Sequence, residues 1–575
     1  MRTSRARLVV AAIAALLAWL AWRTGAVSWW WVVAPAAAFL VLAIAHGRVI
    51  QSRRRMERAS DFYAKGLARL DHRWAGQGVA GERFLDPEHL YAADLDLFGR
   101  GSVFELLCTA RTRAGEEALA AWLLSPAGPD EVAARQAAVR ELTPRLDLRE
   151  DLALRGTDVR AGLHPDELAA WATAPAALGS SLTRGIAAAL CAAGIATLGL
   201  WWADLIGPLP FLVVVAADIL VAWPLRGRVR RVLDDVESAR QDLVLLLQLL
   251  ERLERERFSS QRLMTLRAAL DTGGVAPSRR IRSLERLIDL ADARRNQLFA
   301  PLSYLLLWGT QFAHAFEAWR ARCGPAIPGW LAAAGEVEAL CAVAGHAWEH
   351  PEDPFPEVID PADGPCFDAA ALGHPLIPAE VCVRNDVRLS GRTADRWPRA
   401  LVVSGSNMSG KTTLLRTVGV NAVLALAGAP VRARRLVLTP LAVGATLRVQ
   451  DSLQGGTSRF YAEITRLRKI VASADTLPPP LFLLDEMLSG TNSRDRRTGA
   501  EAILTSLIEA GAIGLVTTHD LSLSEIADAL APRAANVHFE DHLEAGRMIF
   551  DYVCRPGIMT KSNALELMRS VGLEI

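Results

Sequence analysis

Apolar positions along the chain follow three different periods, and each predicts a different kind of structure. Two blocks are almost continuously apolar: the first runs from Leu8 to Trp22, breaks at Arg23-Thr24-Gly25 and resumes from Val27 to Ala45, and the second runs from Gly185 to Ala203, turns between Asp204 and Pro210 and continues from Phe211 to Leu225. Each limb has about 15 to 19 apolar residues, near the lower limit for crossing a hydrocarbon layer of roughly 30 Å at about 1.5 Å per residue. The prediction is two helical hairpins with four short spans. From Tyr91 to about Leu182 the apolar residues recur at helical spacing, as in Leu119-Trp122-Leu123, with Pro126 and Pro129 as breaks. From Val229 to Phe258 a stripe of Leu233, Val236, Leu243, Leu247, Leu250 and Leu253 lies among Arg and Glu, which predicts a long lever helix. Gly273-Gly274 and Pro277 turn the chain, and further helix follows to about His346. The apolar run Leu298 to Phe312 contains Gln311 and ends near His314, so it reads as a buried helix and not a fifth span. Beyond the Pro/Asp-rich stretch from Pro351 to Pro365, strands and helices alternate, the pattern of an α/β domain. The expected fold is thus α and α/β: a transmembrane hairpin (1–50), a polar linker (51–90), a helical domain (91–183), a second transmembrane hairpin (184–225), lever helices (226–350) and an α/β domain (351–575).

Charge adds an orientation. Arg2, Arg5 and Arg7 precede the first block and Arg48, Arg53, Arg54 and Arg55 follow it; Arg184 precedes the second and Arg226, Arg228, Arg230 and Arg231 follow it, while the turns carry only Arg23. Basic residues stay on the cytoplasmic side, so both ends of each hairpin and all soluble parts face the cytoplasm of an inner-membrane, multi-pass protein. A cleaved signal peptide is the competing reading of the first limb, and a soluble core hairpin, kept open by Asp218, is that of the second block. With 64 Lys+Arg against 63 Asp+Glu the formal charge is +1, so no global field argues for nucleic acid. Seven scattered cysteines without metal spacing suit a reducing compartment and argue against structural zinc or a disulfide framework. Only Lys65, Lys411, Lys469 and Lys561 are lysines, so each is informative.

One of them ends a nucleotide motif. The buried-strand pattern Leu401-Val402-Val403-Ser404 leads into Gly405-Ser406-Asn407-Met408-Ser409-Gly410-Lys411-Thr412-Thr413 and then an apolar helix from Leu414, the phosphate-loop pattern in its strand–loop–helix context. Glycines let backbone N–H groups close around phosphates, Lys411 reaches the terminal phosphates, and Thr412 offers a hydroxyl to Mg²⁺. A second buried strand, Leu481-Phe482-Leu483-Leu484, ends in Asp485-Glu486: Asp485 is placed to hold Mg²⁺ and Glu486 to polarise the attacking water. A third, Gly514-Leu515-Val516-Thr517-Thr518, ends in His519, suited to sensing the γ-phosphate. The expected ligands are therefore ATP and Mg²⁺.

Taken in order with Gly455-Gly456-Thr457-Ser458-Arg459-Phe460 and Gly490-Thr491-Asn492-Ser493, these motifs resemble the ABC-type ATPases and, within them, the MutS family of DNA mismatch-repair ATPases. The MutS features are the loop around Asn407 and Met408, the Gly456-x-Ser458-x-Phe460-x-x-Glu463 signature, and Gly490-Thr491 after the acid pair. Gly373-His374-Pro375 with Asn385-Asp386 looks like the opening of the MutS ATPase domain, Arg555-Pro556-Gly557 like its closing strand, and Asp96-Leu97-Phe98 through Arg135-Gln136 like its helical core. The resemblance implies ATP hydrolysis, a homodimer in the ATP state in which Ser458 completes a second subunit's site, lever movement, and double-stranded or branched DNA as partner. It departs from the family in three places: a membrane hairpin stands where the mismatch-reading domain would be, the chain ends soon after the last ATPase element, and Arg459 replaces a small residue beside the signature serine. Arg279, Arg280 and Arg282 are the best local candidates for phosphate contact. A nucleotide-switched membrane module without DNA is the alternative function, and a transport ATPase a weaker one, since about 130 soluble residues separate the last span from the ATPase.

Overall fold

The computed structural model describes residues 2–23, 28, 30–155, 165–179, 181–296, 300–392, 397–448, 459–473, 478–544 and 547–559. They form two units, 1–70 and 71–575. The first is a pair of helices, Arg2–Arg23 and Trp30–Leu70. No residue of the second helix is buried, and its apolar half shows Trp30, Trp31 and Leu40 at the surface. The segment expected to be a linker from Gln51 continues this helix without a break to Leu70, supported by pairs one turn apart such as Arg53–Glu57 (2.7 Å) and Lys65–Asp61 (3.1 Å).

In the second unit, helices Ser181–Trp202 and Leu209–Glu254 follow the second apolar block. Sequence reading divided the span at Leu225 from a lever beginning near Val229; the structure has one rod of 46 residues, about 70 Å long at 1.5 Å per residue. Pro224 costs one backbone bond inside the rod without ending it. The two halves differ in surroundings. Leu212, Val213, Leu220 and Trp223 are exposed, whereas Val232, Leu233, Val236, Leu243, Leu246, Leu250 and Leu253 are buried against helices Pro277–Asp292, Trp308–Cys323 and Leu146–Arg155. Four helical stretches among the described residues are long and apolar enough to cross a membrane: Trp30–Leu70, Leu182–Trp202, Leu209–Glu254 and Trp308–Glu349, with Leu8–Arg23 a shorter apolar helix. The fourth differs in kind, because 72% of its most apolar window is interior. Its second part, Ile327–Glu349, is the axis of the helical domain and packs against Arg113–Leu124, Pro129–Leu142 and Gln261–Leu270.

The α/β part has two sheets. β1 (Glu357–Val358), β5 (Arg435–Leu438), β2 (Cys366–Leu372) and β3 (Asn385–Ser390) form the smaller one in that order. The larger has the order β10 (Arg547–Pro556), β9 (Ala534–Glu544), β4 (Ala400–Ser404), β8 (Ile513–Thr518), β7 (Pro480–Leu484) and β6 (Ala442–Thr446), parallel from β9 to β6 with β10 antiparallel at the edge. Strands β4, β7 and β8 are buried at every position, which is why they read as unbroken apolar runs. The core is continuous from the helical domain into this part: Leu95, Leu107 and Leu119 share one cluster with Leu415, Val418 and Leu483. The stretch Glu88–Asp96, split by the sequence reading between linker and helical domain, is non-helical and lies along the α/β part, with Leu90 O accepting from Ala445 N at 2.9 Å.

Candidate nucleotide site

Parallel pairing brings the C-terminal ends of β4, β7 and β8 to one edge, with Ser404 opposite Thr518 and Leu484 opposite Val516, so the loops that follow converge. After β4 the chain wraps through 405–410 into helix Lys411–Ala427. Gly410 has φ 105°, and a Cβ there would stand 3.1 Å from Tyr552 Cδ1, so glycine suits both the turn and the space. The Ser406 and Ser409 hydroxyls are buried without a hydrogen-bond partner among the described residues. Lys411 is buried and donates to its own loop, at Gly405 O (2.8 Å) and Ser406 O (2.9 Å). Burial pulls its ammonium below the ordinary lysine value, and the charges of Glu486 and Asp485 partly oppose this. A loop with orphaned hydroxyls, a helix N-terminus and a desolvated ammonium has the donors that phosphate oxygens need.

The acid pair lies across from it. Thr412 Oγ1 donates to Asp485 Oδ2 at 2.7 Å, and Thr517 Oγ1 donates to Asp485 Oδ1. Thr517 Oγ1 also accepts from Glu486 N at 3.0 Å, so one buried hydroxyl fixes both acids. Glu486 has φ 45°, a strained backbone for a non-glycine residue, and its Oε1 lies 3.5 Å from His519 Nδ1. Thr412 and Asp485 are the side chains here that could hold Mg²⁺. Beside the loop a cavity of about 390 Å³ is walled by Ile377, Val381, Val383 and Tyr552 as well as by Lys411, Thr412 and Glu486.

Of the expected nucleotide residues, Gly405, Ser406, Asn407, Met408, Ser409, Gly410, Lys411, Thr412 and Thr413 form one continuous loop and first turn, Met408 with its side chain in solvent. Ser458, Gly455 and Gly456 lie outside the described residues. Further along the signature, Glu463 is buried and accepts from Leu488 N at 2.6 Å, bracing the turn after the acid pair. In Gly490-Thr491-Asn492-Ser493, Asn492 caps helix Ser493–Glu509 by accepting from Asp495 N at 2.9 Å. Sequence reasoning missed the role of Thr517, whose only signal was a hydroxyl in a buried strand, shared with its neighbour Thr518. It also assigned no task to Asn385, which donates to Tyr552 O (3.0 Å) and accepts from Cys554 N (2.7 Å), tying β3 to β10 beside the loop. Burial, with Arg416 nearby, drives His374 down to about 4, so it is neutral at pH 7.

The arginines offered for DNA contact are not equally available. Arg280 turns inward to Thr272 O, Arg282 pairs with Glu251 at 2.5 Å, and Arg279 is exposed.

Residues 401–574 match the family model of MutS domain V. The chain is similar to an Endonuclease MutS2 of Anaeromyxobacter sp. (strain Fw109-5), 34% identical over 256 residues that cover 43% of this chain and 30% of that protein. It is also similar to an Endonuclease MutS2 of Thermus thermophilus, 35% identical over 215 residues, 37% of this chain and 27% of that one. A DNA mismatch repair protein MutS of Natronomonas pharaonis is 34% identical over 246 residues, 42% and 27% of the two chains. The match spans less than a third of the length of these relatives. The C-terminal part of the chain is thus similar to MutS domain V, and proteins named MutS2 and MutS are among its relatives.

Proposed function

We propose that the chain is a membrane-anchored MutS-like ATPase that couples ATP binding and hydrolysis to dimerisation and to movement of its long helices, acting on double-stranded or branched DNA. The observation that carries it is the constellation of Lys411, Thr412, Asp485, Glu486 and His519 at the ends of adjacent parallel strands. ATP oxygens take the donors of the 405–410 loop and draw Lys411 from the two carbonyls it now holds. Mg²⁺, when bound, neutralises phosphate charge and orients the terminal phosphoryl group. Glu486 accepts a proton from water as its oxygen bonds to the γ-phosphorus and the bond to the β-phosphate oxygen breaks, and His519 orients the carboxylate.

Membrane attachment at the inner membrane, with the soluble parts cytoplasmic, rests on the exposed apolar halves of Trp30–Leu70 and Leu209–Glu254 and on the arginines that flank them. The DNA partner rests on the names of the relatives. A second reading, a nucleotide-switched membrane module without DNA, is favoured by the commitment of Arg280 to Thr272 O within its own turn. The test is turnover and nucleotide affinity of the detergent-purified chain. Lys411→Ala should weaken ATP binding, and Glu486→Gln should bind ATP but turn over orders of magnitude more slowly. Unchanged turnover in Glu486→Gln removes this residue, and the proposed water activation, from the mechanism.

A further inference from the structure

Two carboxylates outside the nucleotide site are each wired to more than one element of the ATPase part. Asp94 is fully buried, and its Oδ1 accepts from Leu447 N and Arg448 N, both at 2.7 Å, while its Oδ2 pairs with Arg466 of helix Arg459–Ser473 at 2.5 Å. Asp96 takes both terminal nitrogens of Arg448, at 2.6 and 3.1 Å, and also Nη1 of Arg416 at 3.1 Å. Between them Leu95 is fully buried over Gly419, where a Cβ would come within 2.6 Å of Leu95 Cδ2. Arg416 and Gly419 lie on the helix that begins at Lys411. In chain order, Leu447-Arg448 and the helix from Arg459 are the two flanks of the segment that carries Ser458.

One tripeptide, joined to the first helix of the helical domain by Val103 N donating to Asp96 O, therefore grips the phosphate-loop helix and both flanks of the signature segment. A buried carboxylate as well supplied with donors as Asp94 is a fixed anchor, because removing those donors while it stays buried leaves its charge uncompensated. Asp96 is different: it is shared by two guanidiniums from different elements, so the Arg448 pair can part while the Arg416 pair holds.

We propose that Asp94-Leu95-Asp96 is a positioning device for the ATP site, setting the register between Arg448, helix Arg459–Ser473 and the phosphate-loop helix so that the helical domain, with the buried half of the rod Leu209–Glu254 in its core, governs ATP-dependent dimerisation. This rests on the ATP-dependent dimer under Proposed function. Asp94 and Asp96 touch no reacting atom, so the readout must separate nucleotide binding from dimerisation and turnover.

The experiment uses the full chain in detergent, with Glu486→Gln as parent and a fluorescent ATP analogue as probe. Asp96→Asn and the more exposed Arg448→Ala should keep nucleotide affinity within about twofold, and weaken ATP-dependent dimerisation, read by light scattering over a concentration series, by about tenfold or more. In chains that retain Glu486, kcat should fall with KM unchanged, and Asp96→Glu should recover part of it. If Asp96→Asn and Arg448→Ala fold with the parent's melting profile, dimerise like the parent and keep kcat, the proposal is overturned while the dimer stands. A parent that stays monomeric with ATP sinks the dimer reading, and this proposal with it.

Discussion

Glu338 shows how far a single residue can be read. In the sequence it is one acid in an apolar run, and only the structure shows it fully buried, with Arg111 N donating to Oε1 at 3.2 Å and Thr112 Oγ1 donating to Oε2. Burial, set against these bonds, raises its pKa from 4.5 to about 7. The folded state therefore holds this proton more tightly than the unfolded one. Its contribution to stability is complete below about pH 4.5, declines as pH rises toward 7 and is level beyond. The full shift corresponds to roughly 3 kcal/mol. Glu338→Gln, which keeps an acceptor and a side chain of the same size, should flatten this dependence; urea unfolding at several values between pH 4.5 and 7 measures it, and an unchanged slope assigns the dependence to other groups. The residues that gather at the ends of β4, β7 and β8 were legible because they stand in a fixed order on recognisable strands. Thr517 and Glu338 were not, because their roles depend on groups distant in the chain or on burial.

At the scale of elements, the apolar strands β4, β7 and β8 were legible for a simple reason: helices cover both faces, so no polar alternation interrupts them. The rod was not. Its sequence changes character at Leu225, from apolar to arginine-rich, and that change marks a change of surroundings along an unbroken helix. Ile327–Glu349 is the converse, a helix of span-like apolarity that is buried because other helices surround it. The membrane reading predicts a topology. In a chain whose native cysteines are replaced, a cysteine at Asp204 should react with an impermeant maleimide in intact cells, and one at Ser52 should react only after lysis. Labelling at Ser52 from outside would overturn the assignment of a cytoplasmic face to that segment.

At the scale of the whole molecule the open matter is DNA, and here electrostatics gives a sharper test than the family relationship. The formal charge is +1, so binding has to come from local donors that are free to meet phosphates. Of the three arginines after the Gly273-Gly274 turn, Arg280 is committed to Thr272 O and Arg282 to Glu251, which leaves Arg279 in solvent. Their alanine variants should therefore differ. If this turn contacts duplex or branched DNA, Arg279→Ala should weaken binding independently of sequence and reduce the slope of log K against log salt by up to about one unit. Arg280→Ala should instead lower the melting temperature and leave that slope unchanged, because it removes a bond that closes the turn. Arg282→Ala should fall between them, since an exposed pair contributes little to stability and its guanidinium can exchange Glu251 for a phosphate. Fluorescence anisotropy with labelled duplex and four-way junction, across a salt series with and without ATP, reads all three. Equal slopes in all variants move any DNA contact to another surface. No binding at low salt, in a chain that hydrolyses ATP and dimerises, leaves the nucleotide-switched membrane module as the function this architecture performs.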